Sequence, residues 1–325
     1  MTFPSKAFQS RIPGRPAVKA PSTMTLGAVS RGVSTNASRL LIYGVGGVGK
    51  TTFAAESPSP IFIDTQDGSG RLDVARFPRP GSWGDVLAAV NALTVEAHEY
   101  KTLVLDLLDD LESMAWDHMC ARDGQSSVEG YGYGKGYKVA LVEWRTLIAG
   151  LERLRAAKGM GIIFVAHAGI KSFKNPEGED YDRYGLQLHE GAAGLIRGWC
   201  DTVLFARHET AIKIDQKKRV RGISTGARVI QTVETAAYYA KNRGNLPDTI
   251  ALDYAEFKAA MAAGVPARAE DMLSEIARLS QGIDEDTRKK VESATLSCDG
   301  NAVALARVLN RLKEISSQTP QETES

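Results

Sequence analysis

The chain has 325 residues, with 40 Lys+Arg against 39 Asp+Glu, a formal charge of +1 and 43 % hydrophobic residues, an ordinary globular balance that argues against a wholesale nucleic-acid coat. No apolar run approaches the ~18 residues of a membrane span and none follows Lys6, so neither a membrane segment nor a secretory signal is expected. Cys120, Cys200 and Cys298 are too scattered for a disulfide framework or a compact zinc site and fit a reducing cytoplasm.

Residues 1–35 read as a flexible basic arm. Lys6, Arg11, Arg15, Lys19 and Arg31 meet no acidic residue, and Pro4, Pro13, Pro16 and Pro21 with scattered Ser leave little apolar surface to offset ordering. A solvated tail and a nucleic-acid arm both fit. From Arg39 strands and helices alternate. Leu40–Tyr43 predicts a buried strand ending in glycines, and Ile61–Asp64 a second. Val86, Leu87, Val90, Leu93 and Ala97 recur at helical spacing. Thr102–Asp106 predicts a third strand, then Val139, Val142, Leu147, Leu151 and Leu154 mark a long helix. Gly161–Ala166 and Asp201–Ala206 predict strands four and five. Wholly apolar strands between helices imply an α/β fold with a mostly parallel sheet. Arg228–Thr232 and Ala236–Ala240 lie too close for a crossover helix and are expected to pair antiparallel. The expected divisions are 36–265 for the main domain, 266–315 for a small helical region carrying Met272, Ile276, Leu279, Leu305 and Leu309, and 316–325 for a disordered tail.

Gly44-Val45-Gly46-Gly47-Val48-Gly49-Lys50-Thr51 fits G-x-x-x-x-G-K-[ST] without a mismatch, between a strand and a helix-compatible run, Thr52–Glu56. Backbone N–H groups there can wrap a polyphosphate, so ATP with Mg²⁺ is the expected ligand. Lys50 would reach the β- and γ-phosphates and the Thr51 hydroxyl would bind Mg²⁺. Asp106, at the carboxyl end of the Thr102–Asp106 strand, is the expected Walker B carboxylate, with Asp109 and Asp110 as candidate helix caps.

These segments resemble a family when read in order: GVGGVGKTT (Gly44–Thr52), PIFIDTQDG (Pro60–Gly68), YKTLVLD (Tyr100–Asp106), YGYGKGY (Tyr131–Tyr137), the run Gly161–Tyr184, WCDTVLFA (Trp199–Ala206) and AKNRGNLP (Ala240–Pro247). The chain resembles RecA-like P-loop ATPases and, more closely, the AAA-type phage nucleotide-binding ATPases related to the RecA/RadA-like phage single-strand annealing proteins. The likeness runs from about Thr25 to Met261. It implies a RecA-like α/β fold with antiparallel C-terminal strands, ATP and Mg²⁺ as cofactors, and a homo-oligomeric ring or filament in the host-cell cytoplasm. It also implies a water-activating Glu after the second strand, where this chain has Gln66. A glutamine orients water but takes no proton; Asp67 would substitute only if its loop turned inward. His167 stands where the family has a γ-phosphate sensor. Lys241 and Arg243 match a motif whose cations reach the neighbouring subunit's nucleotide; an exposed turn is the competing reading.

Three tyrosines between glycines, Tyr131–Tyr137, either stack on bases of single-stranded DNA or pack rigidly beside the nucleotide. Lys171–Lys174 opens a second candidate DNA loop running to Arg183, whereas Lys217, Lys218, Arg219 and Arg221 read as a hairpin tip in water. Two functions fit: an ATPase of DNA recombination or single-strand annealing, or a nucleotide-dependent switch or scaffold for protein partners with little hydrolysis.

Overall fold

The computed structural model describes residues 25–29, 37–214, 220–264 and 269–298, and beyond these Leu305, Val308, Leu309, Arg311, Leu312 and Ile315. Most of the expected arm, Lys217–Arg219 of the hairpin tip, and the tail after Ile315 lie outside them. The chain divides into two compact units, residues 1–36 and 37–325. In the first, the described piece is a single 3₁₀ turn, Leu26–Ala28.

The second unit is a nine-stranded sheet. Along the chain come β1 (Arg39–Gly44), α1 (Lys50–Ala55), β2 (Pro60–Asp64), β3 (Ala75–Arg76), α2 (Trp83–Val95), β4 (Thr102–Asp106), α3 (Leu108–Asp123) and α4 (Lys135–Lys158). There follow β5 (Gly161–Phe173), β6 (Tyr181–Leu186), α5 (Glu190–Trp199), β7 (Thr202–Ile214), β8 (Val220–Gln231), β9 (Thr249–Ala251), α6 (Tyr254–Gly264), α7 (Ala269–Leu279) and α8 (Glu285–Ser297). The strand order is β3-β2-β4-β5-β1-β7-β8-β9, with β6 paired to β5 off this path. β1 to β5 and β7 pair in parallel; β8 joins β7 and β9 antiparallel. This is the α/β class expected from the sequence, a mostly parallel sheet with antiparallel strands toward the C-terminus.

The strands read as continuous apolar runs because both sheet faces are covered. Along β1, Leu41 and Tyr43 enter one core with Ile162, Phe164, Trp83 and Trp144. Leu40 and Ile42 enter the other with Val104, Val165, Phe53 and Phe257. Trp83 of α2 and Trp144 of α4 meet edge-to-face at 5.6 Å, which fixes these two helices against each other. Position 44, the last residue of β1, admits only glycine, because a Cβ there would lie 2.1 Å from the Ala206 carbonyl oxygen on β7. Ile276, Val291, Cys298, Leu305, Leu309 and Leu312 form a separate small core.

Two expectations are corrected. Ala236–Ala240 is not a strand: Tyr238 makes only isolated bridges, to Tyr184 and Thr235, and β8 finds its partners in β7 and β9 instead. β7 runs past the apolar stretch into a long hairpin with β8, so the antiparallel partner comes from the hairpin rather than from the next β-rich run. Likewise β5 does not stop at Ala166. It continues to Phe173 and pairs with β6, Lys171 opposite Arg183. Lys171, Ser172 and Phe173 are therefore strand residues, and the turn is limited to Lys174–Asp180, closed by the Lys174–Asp180 ion pair.

Candidate nucleotide site

The ligand-facing edge of a parallel sheet is where the carboxyl ends of the strands open. Here that edge carries the loop after β1, the ends of β2 and β4, and His167 on β5. Register brings them together: Gly44 pairs with His167, Asp64 with Asp106, and Asp106 with Val165. They enclose a cavity of about 280 Å³ lined by Gly47, Gly49, Lys50, Thr51, Thr52, Asp64, Gln66, Gly68, Asp106, Leu107 and His167.

The loop Gly44–Gly49 is pinned by Val48, fully buried in the core, while Gly46 and Gly47 are exposed at its crest. Val45 is half-buried beside them. Gly49 has φ +109°, a backbone conformation that L side chains rarely adopt, so glycine is required there; the Arg228 guanidinium, 2.8 Å from where a Cβ would stand, packs against this bare backbone. Lys50 is 5 % exposed. Its ammonium donates to the carbonyl oxygens of Gly44 at 3.1 Å and Val45 at 2.9 Å. Burial lowers its pKa from the ordinary value, against the raising pull of Asp106 and Asp109.

The Thr51 hydroxyl donates to Asp106 Oδ2 at 2.7 Å. Burial pushes Asp106 up to about 6, with Asp64 adding repulsion, while the Thr51 hydrogen bond, Lys50 and His167 pull it down. Hard oxygen donors at this spacing fit a Mg²⁺ ion, which would neutralise phosphate charge when bound. Asp64 is 4 % exposed and accepts from the N–H groups of Gln66, Gly68 and Ser69 and from the Ser69 hydroxyl. Burial raises its pKa, but those donors outweigh it and the net shift is downward. Asp64 thus shapes the loop that puts Gln66 on the cavity. Asp67, at φ +56°, is exposed and does not line the cavity.

His167 Nδ1 lies 2.7 Å from Asp109 Oδ2, and its backbone N–H donates to the same carboxylate. Burial raises the Asp109 pKa while His167 pulls it down. Asp110 accepts from the Thr65 hydroxyl at 2.7 Å, and Thr65 in turn accepts from the Leu107 N–H. Neither Asp109 nor Asp110 caps α3, whose N-cap is Leu107 without a side-chain hydrogen bond; from the first turn of α3 they reach His167 on β5 and Thr65 just after β2 instead. One turn on, Glu112 accepts from the backbone N–H of His189. Asp64, Asp109, Glu112 and Arg228 escaped sequence reasoning as site residues; the available signal was the Asp109/Glu112 spacing of three, which puts two carboxylates on one side of α3 just past Asp106.

The tyrosine loop divides. Tyr131 donates to Asp123 at 2.7 Å, and Tyr137 donates to Glu129 and stacks on His189 at 4.2 Å. Tyr133 is 103 % exposed, at φ +48° between left-handed Gly132 and Gly134. Two tyrosines pack and one stands in solvent beside exposed Lys135.

Lys241 and Arg243 do not form the expected pair on one strand face. Lys241 makes an isolated bridge to Val203, and the Asn242 side chain then turns the backbone by accepting from Gly244 and Leu246. The Lys241 ammonium donates to the carbonyl oxygens of Arg197, Gly198 and Cys200, capping the end of α5. Arg243, 62 % exposed, faces Asp201 at 3.7 Å, and Asp201 is held by Arg39 at the start of β1. That is the opposite end of β1 from the glycine loop, roughly 17 Å away at ~3.3 Å per residue. Neither cation reaches the cavity of its own chain.

Among the described residues no helix is long and apolar enough to cross a membrane, and all three cysteines are buried thiols. The family model described as "AAA domain" matches residues 36–244. The crystal structure of the RadB recombinase is similar at 13 % identity, covering 60 % of this chain and 80 % of that chain, with a TM-score of 0.35. No curated protein matches.

Proposed function

The chain belongs to the AAA domain family, and on that premise we propose that it is an ATP-binding, RecA-like ATPase of phage type acting in DNA recombination or single-strand annealing. The observation that carries nucleotide binding is the arrangement of Lys50, Thr51 and Asp106 on one cavity, with the Thr51–Asp106 contact at 2.7 Å. In this reading the loop amides of Val45–Gly49 and the Lys50 ammonium hold the β- and γ-phosphates. Thr51 and Asp106 hold Mg²⁺, and Thr52 lines the phosphate path. Gln66 orients the attacking water. His167 faces the γ-phosphate.

Arg243 is the cation proposed to act on a neighbouring copy's nucleotide, because its exposure and its distance from its own cavity leave only another chain within reach. Such a contact repeats from copy to copy and builds a ring or filament. Tyr133 supplies one exposed ring for base stacking with Lys135 beside it, and Lys174 is a further exposed cation at the β5–β6 turn. The test is the ATPase rate of the purified protein with and without single-stranded DNA. Stimulation by DNA supports the reading; turnover indifferent to DNA removes its recombination half.

A second reading is favoured by Gln66. If ATP binds without phosphate release, the protein is a nucleotide-dependent switch or scaffold for protein partners. Tight ATP binding with turnover at the level of a Lys50→Ala control would select it.

A further inference from the structure

We propose that His167, positioned by Asp109, is the general base of the ATPase reaction, taking the role for which a carboxylate after β2 is missing. The inference rests on the ATPase reading above and deepens it. Hydrolysis at the γ-phosphorus releases a proton from the attacking water, and the cavity has few groups able to accept it. Gln66 has no basic atom. Asp64 is engaged by three N–H groups and a hydroxyl that fix both its oxygens. Asp106 accepts from Thr51 and faces Lys50, in the metal position. Asp67 lies off the cavity.

His167 lines the cavity with a 30 % exposed side chain, and its Nδ1 is taken by Asp109 at 2.7 Å. An ionised carboxylate only accepts, so Nδ1 carries the hydrogen and Nε2 keeps a lone pair for the ligand side. This tautomer is unsuited to donating to a phosphate oxygen and suited to taking a proton. Asp109 fixes the ring twice, through Nδ1 and through the His167 backbone N–H, and its charge compensates the imidazolium that forms. The step balances. The water oxygen bonds to the γ-phosphorus, its proton passes to Nε2, and the bond from phosphorus to the β–γ bridging oxygen breaks with its electron pair leaving on ADP. The imidazolium then returns the proton to solvent.

A base and a hydrogen-bond-donating sensor respond differently to glutamine, which donates but cannot be protonated. His167→Gln is expected to lower kcat by roughly 10²–10⁴-fold, with ATP affinity, read by fluorescence titration, little changed. Asp109→Asn is expected to lower kcat without weakening ATP binding, and His167→Ala to regain turnover when imidazole is added. Circular dichroism reports whether each variant folds; if Asp109→Asn does not, the imidazole rescue decides. Wild-type kcat in His167→Gln, or no rescue in folded His167→Ala, overturns the proposal while leaving the ATPase reading intact. A wild-type protein that binds ATP but releases no phosphate overturns the ATPase reading itself, and this inference with it.

Discussion

Two residues decide how the site responds to substitution and to pH. Lys50 is the only cationic side chain lining the cavity among the described residues, and it is almost fully buried. A charge-assisted hydrogen bond is worth roughly 1.5–3 kcal/mol, so Lys50→Ala is expected to weaken ATP binding by about 10–100-fold or more, measurable by titration with a fluorescent nucleotide. Glu112 sits two layers behind, 4 % exposed, and burial pushes its pKa to about 7 from an ordinary 4.5 despite the His189 N–H and the nearby Lys171. The folded protein therefore holds a proton that the unfolded chain has released. Stability falls as pH rises from about 4.5 through about 7 and levels off above. Glu112→Gln should remove much of that slope, on the order of 1–3 kcal/mol, in urea melts across this range.

At the level of elements, α3 and the loop into α4 connect the nucleotide edge to the surface. α3 takes Asp109 to β5 and Glu112 to the start of α5, while Tyr137 stacks on His189 and Tyr131 is tied to Asp123 near α3's end. The tyrosine motif is thus half scaffold. Tyr131→Ala should cost about 1–3 kcal/mol of stability. Tyr133→Ala should stay within about 0.5 kcal/mol in the same thermal melt. If the loop meets single-stranded DNA, Tyr133→Ala should still lose roughly 1–3 kcal/mol of stacking affinity, visible as weaker binding of a labelled oligonucleotide. Unchanged DNA affinity would assign the whole motif to packing.

At the level of the whole molecule, α6 and the helices after it belong to different cores. Tyr254 and Phe257 pack on Phe53 at 5.3 and 5.7 Å, directly beneath the glycine loop, whereas α7 and α8 close on their own small cluster. Truncation after Gly264 should leave the melting temperature of the main unit and its ATP affinity nearly unchanged. Truncation after Asp253 should destabilise both, because Phe53 and the helix behind the P-loop lose their cover. Assembly is the other property of this scale. If Arg243 serves a neighbour, Arg243→Ala should bind ATP normally but lose the rise of specific activity with protein concentration. Mixing it with Lys50→Ala should restore part of the activity wherever light scattering shows that the two co-assemble.

The sequence by itself determined the parts that follow from local pattern. Apolar runs of four or five residues, too short for a helix and set between helical stretches, read as parallel strands covered on both faces, and β1, β2 and β4 lie within one residue of expectation. The glycine loop with Lys50 and Thr51 reads as contiguous residues at fixed spacing and Asp106 as the carboxylate that ends an apolar strand, and the fold brings them onto one cavity. What only the tertiary structure decided are relations across the sheet. Asp109 meets His167 over a separation of 58 residues, and no periodicity announces that partnership. Lys241 and Arg243 read as a pair because strand spacing puts i and i+2 on one face. The Asn242 turn breaks that spacing and sends one cation to the carbonyl end of α5 and the other to Asp201. β5 likewise crosses from apolar core to polar hairpin without a turn signal, since its partner β6 supplies the hydrogen bonds that its own residues do not advertise.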